Sequence, residues 1–74
     1  MMIHNKVDFK PKIGDTLKNN NPYDGEGELI VAGEPDEAGM VKCIHACHTK
    51  HKGLNGLVEL KPMDSLIEFY HKIK

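Results

Sequence analysis

Apolar positions along this chain come in short runs separated by dense turn formers. Ile3, Val7 and Phe9 stand between polar neighbours until Pro11 interrupts them. Residues 12–18, Lys-Ile-Gly-Asp-Thr-Leu-Lys, read as a turn into a short strand. Residues 19–27 are crowded with Asn, Pro, Asp and Gly, which predicts a loop. Glu28 to Ala32 is a β-rich apolar run. Residues 33–39 place Gly and Pro where a turn needs a positive or fixed φ. Met40 to His45 is the next strand, with Val41, Cys43 and His45 on one face and Met40, Lys42 and Ile44 on the other. Two such runs around a turn-rich loop predict a β-hairpin.

A second loop, 49–56, ends in Asn55-Gly56, a tight-turn dipeptide. Leu57 to Leu60 is another short strand, and Pro62 to Ser65 punctuates the chain again. The last segment carries two periods. Leu66, Phe69, Tyr70 and Ile73 share a helix face, with Asp64 or Ser65 available as a cap. Ile67, Phe69, His71 and Ile73 also alternate with Glu68, Tyr70, Lys72 and Lys74, as a strand would. The alternation is the favoured reading: a turn at 62–66, then a strand, with a short C-terminal helix as the alternative. Phe69 is expected in the core.

Short strands between turns predict a mainly β fold, a small five-stranded barrel or half-open sheet. Residues 13–17, Ile-Gly-Asp-Thr-Leu, form the opening strand of the pattern. Gly56-Leu57-Val58-Glu59-Leu60 and Pro62-Met63-Asp64-Ser65-Leu66 supply its late strand and one-turn helix. In these features the chain resembles the SH3-like small β-barrel superfamily over residues 12–74. The length of 74 residues fits a single domain over 1–74, in which the resemblance leaves 1–11 as an N-terminal extension or edge strand. It does not bring proline-rich peptide binding with it. The chain has no Trp, and its aromatics are Phe9, Tyr23, Phe69 and Tyr70, too few for an aromatic-lined groove.

Size narrows the function classes. A chain of 74 residues buries only about 60% of its unfolded surface. A pre-formed catalytic cleft needs walls from several elements, so a non-enzyme is expected. Charged residues make up 28% and hydrophobic ones 39%, a globular balance. The net charge of −1 creates no global pull towards nucleic acid or membrane. Locally the charges separate. Residues 19–40 hold Asp24, Glu26, Glu28, Glu34, Asp36 and Glu37 and no lysine. Residues 41–52 hold Lys42, Lys50, Lys52, His45, His48 and His51 and no acid. All ten basic residues are Lys, which disfavours bidentate reading of guanine. Lys- and Asn-rich, Arg-free usage suits an AT-rich genome such as that of a virus or mobile element. The N-terminus shows no apolar signal region, and no stretch approaches a membrane span. A cytoplasmic protein with reduced cysteines is expected.

Cys43 to His51 concentrates the chemistry: both cysteines and three of the five histidines. Thiolate and imidazole are the donors zinc prefers, so Cys43, Cys47, His48 and His51 form the candidate metal set. Yet Cys47 and His48 are adjacent, and neighbours on a strand face opposite ways. Only a sharp bend at 46–49 lets both reach one ion. The favoured reading is no cofactor: Cys43 packed as a small apolar residue, with the histidines at a strand end and loop. A haem motif would need one residue fewer between the cysteines. A Cys/His nucleophile would need an orienting group and an oxyanion site. Gly53-x-x-Gly56 beside Lys50 and Lys52 reads as a turn, since a phosphate-clamping loop of this type joins helices.

The function expected is a protein-interaction module, with Tyr23, Asp24, Glu34, Asp36, Glu37, Lys50 and Lys52 as partner-binding residues. The alternative is a nucleic-acid-binding domain using the Lys/His loop, with a structural zinc.

Overall fold

The computed structural model describes residues 10–21 and 27–73. The strand-like pattern of residues 1–9 lies outside them, as do Tyr23 and Asp24. Among the described residues five strands form one sheet: β1 (Thr16–Asn19), β2 (Glu28–Val31), β3 (Met40–Ala46), β4 (Val58–Pro62) and β5 (Tyr70–Lys72). A helix, α1 (Met63–Phe69), lies between β4 and β5. The strand order is β4-β3-β2-β1-β5, and every neighbouring pair is antiparallel. The described residues are mainly β, an open five-stranded sheet with one short α-helix.

Alternation decides which face is buried. Leu17 pairs with Leu29, and Leu29 with His45; Val31 pairs with Cys43, and Cys43 with Glu59. This face carries the core of Leu17, Leu29, Val31, Val41 and Cys43, closed by Leu66 of α1. Met63 and Tyr70 pack against it. The opposite face carries a row in register across four strands: Thr16, Ile30, Ile44 and Val58.

The final segment departs from the expected turn and strand. It is a helix over 63–69, followed at once by the three-residue strand β5. The reason is Leu66, which is fully buried. A helix turns Met63 and Leu66 towards the core at i and i+3, and an alternating strand would not. Phe69, expected inside, is 51% exposed. Pro62, rather than Asp64 or Ser65, sits at the N-cap with extended backbone, and no side chain caps the first turn. The missing N–H of proline suits both the end of an edge strand and the entry to a helix. The other end is closed by a residue from β1's edge. Asn20 donates its backbone N–H to Phe69 O at 2.8 Å and its Nδ2 to Glu68 O at 3.3 Å.

Candidate functional site

The Cys43–His51 segment leaves the sheet through a bend at Cys47, whose φ of 60° lies in the left-handed region. The bend required for a metal site is therefore present, but it sends the side chains apart. Cys43 lies in the core. Its thiol donates to Val41 O at 3.6 Å, and burial pushes its pKa up. Cys47 is exposed and His48 is buried. His51 is exposed at the start of the single-turn 3-10 helix Lys52–Leu54. The four candidate zinc ligands do not converge. Among the described residues no group of three or more His, Cys, Asp or Glu side chains is placed to hold a metal.

The structure assembles a different set. His45 Nε2 lies 2.7 Å from Glu59 Oε1, and His45 Nδ1 lies 3.1 Å from His48 Nε2. A carboxylate only accepts, so His45 donates from Nε2. Neutral His45 then accepts at Nδ1, and His48 donates from Nε2. The Glu59 carboxyl is held below the ordinary carboxylate range, mainly by the N–H of His45 and further by the charge of Lys61. Lys61 Nζ is 3.5 Å from Glu59 Oε2.

His48 is the anchor of the following loop. Its backbone N–H donates to Asn55 Oδ1 at 2.8 Å, and Asn55 Nδ2 returns a bond to His48 O at 3.1 Å. Its ring lies over the α-carbon of Gly27, where an added Cβ would stand 2.7 Å from ring atoms. Gly27 also has φ +83°, so glycine is required there twice over. The loop returns to the sheet through a type II turn. Asn55 has φ −62° and ψ 128°, Gly56 has φ +90°, and Leu57 N–H donates to Leu54 O at 3.0 Å. Gly56 and Leu57 then both bond to His45, which makes a β-bulge. Lys50 and Lys52 stand exposed on this loop.

The acidic candidates occupy the other end of β3. Glu34, Asp36 and Glu37 are all exposed. Asp36 organises its loop: Oδ1 accepts from the N–H groups of Ala38 and Met40, both at 2.9 Å. Glu34 and Glu37 carry charge outward from that scaffold. Lys42 lies in mid-β3 on the outer face, opposite Leu60 and against Gly33 at the start of the acidic loop. The Lys and His residues of the nucleic-acid alternative therefore do not share one surface. A cleft of about 440 Å³ is lined by residues that include Asn19, Lys61, Ser65, Phe69 and Tyr70. Among the described residues no acid or histidine lies in its wall.

Sequence reasoning found the residues of the cluster but not Glu59, Gly27 or Asn55. The available signal was that Glu59 follows a Gly-containing turn on a strand facing Cys43 and His45. Comparison with protein families, curated proteins and solved structures finds no match. The functional reading rests on the chain's own residues.

Proposed function

We propose that this protein is a non-enzymatic interaction module that presents the loop after β2 to a basic protein surface. The observation that carries the proposal is the division of labour in the charged loops. His45 and His48 are spent internally, on Glu59, Gly27 and Asn55. Glu34 and Glu37, by contrast, project from a loop whose shape Asp36 holds. A pre-shaped loop loses little entropy on binding. The seven residues of β3 span about 20 Å, beyond the roughly 8 Å screening length at physiological salt. The acidic and basic loops thus act as separate patches. The helix before the last strand and the pairing of that strand with β1 support an SH3-like architecture for the module.

The test is affinity capture from source-cell extract with wild type and with Glu34→Lys/Glu37→Lys. Asp36 is left intact because its carboxylate builds the loop. The double variant is expected to melt like wild type and to lose the captured partner. Equal capture by both would overturn the acidic-loop reading.

A further inference from the structure

Among the described residues β4 is an edge strand, with no strand on its outer side. Val58 is 57% exposed and Leu60 51% exposed, and Glu59 and Pro62 are exposed as well. Large apolar side chains on an uncovered edge are what monomeric sheets ordinarily avoid. The backbone direction follows from the bonds to β3. His45 N–H donates to Leu57 O, and Met63 N–H donates to Gly39 O. Odd-numbered positions of β4 therefore face β3, and Val58 and Leu60 point their N–H and C=O groups outward.

We propose that β4 pairs with β4 of a second copy, antiparallel, about a two-fold axis at Leu60. The sequence of the strand, Val58-Glu59-Leu60-Lys61-Pro62, is self-complementary about that point. Leu60 meets Leu60 of the partner subunit and exchanges both backbone bonds with it. Val58 N–H donates to the carbonyl of Pro62 in the second copy, and the two-fold axis generates the symmetry-related bond. Proline has no N–H, so Pro62 returns no bond to the Val58 carbonyl, and the pairing rests on two bonds between the Leu60 residues and two from Val58 to Pro62. Glu59 stands opposite Lys61 of the second copy, and Lys61 opposite Glu59. Opposite charges at directly facing positions stabilise an antiparallel pair, whereas like charges disfavour it. A shift of two residues would put Glu59 or Lys61 against its own kind. The outer apolar row of Ile30, Ile44 and Val58 would then continue across the axis. A two-fold pairing is closed, so it yields a dimer and no fibre.

Two five-residue strands make a small interface, so association is expected over about 10 µM to 1 mM. Sedimentation velocity across that range, with reductant present to keep Cys47 reduced, reads it directly. Wild type is expected to approach twice the chain mass. Leu60→Lys, at an exposed position, is expected to stay folded and monomeric. Glu59→Lys and Lys61→Glu alone are each expected to self-associate about tenfold more weakly, and an equimolar mixture of the two is expected to recover pairing. Wild type that remains monomeric at the highest concentration would overturn the proposal. So would a dimer indifferent to Leu60→Lys, or a mixture no better than its components.

Discussion

Gly27 and His48 occupy nearly the same space, and this contact fixes where the Cys/His loop sits. Any side chain at Gly27 meets the imidazole at 2.7 Å and must also adopt φ +83°. Left-handed backbone costs an L-residue about 1–2 kcal/mol, and overpacking adds about 1–3. Gly27→Ala is therefore expected to destabilise the fold by about 2–5 kcal/mol in urea unfolding. Removing the ring relieves only the steric part. Gly27→Ala/His48→Ala should be less destabilised than the sum of the single variants, because contacting residues couple. Strict additivity would show that the ring does not rest on Gly27.

At the scale of elements, Glu59 and His45 link β3 to β4 on the face that carries the core. The folded-state value of Glu59 is lowered, so its contribution to stability is present above the unfolded glutamate value of about 4.3. It is lost as pH falls through the lower folded value. Wild type should exceed Glu59→Gln in stability at pH 6, and the gap should close below pH 4. A gap constant from pH 3 to 6 would contradict the hydrogen bond. Cys43 has the opposite sign. Its raised pKa keeps its contribution intact below the unfolded thiol value of about 8.5. That contribution is lost as pH rises through the higher folded value.

The elements differ in how legible they were. The β2–β3 hairpin was readable because alternation and a Gly/Pro-rich loop agree. The burial of Cys43 followed from its place in that alternation. The stretch after Pro62 was not readable, since its apolar residues satisfy both periods. The choice was made by tertiary packing, through the space that only Leu66 fills. The Glu59–His45 contact was hidden for a related reason. The bulge at Gly56 and Leu57 sets the register of β4, and a slip of one residue would exchange Glu59 for Leu60. The candidate zinc set failed to assemble because the left-handed bend at Cys47 separates neighbours that strand geometry had already opposed.

For the whole molecule, the open sheet places an acidic loop and a basic loop at opposite ends of β3 and an apolar edge along β4. No helix among the described residues is long and apolar enough to cross a membrane. The account assigns partner recognition to the acidic end, self-pairing to the edge, and internal anchoring to the histidines. The most direct test is an amide chemical-shift map of the labelled chain titrated with the partner that it captures. The account predicts shifts concentrated at residues 33–40, with the amides of His48 and Asn55 unmoved. Shifts centred on residues 48–56 would contradict it, because they would place binding at the basic end.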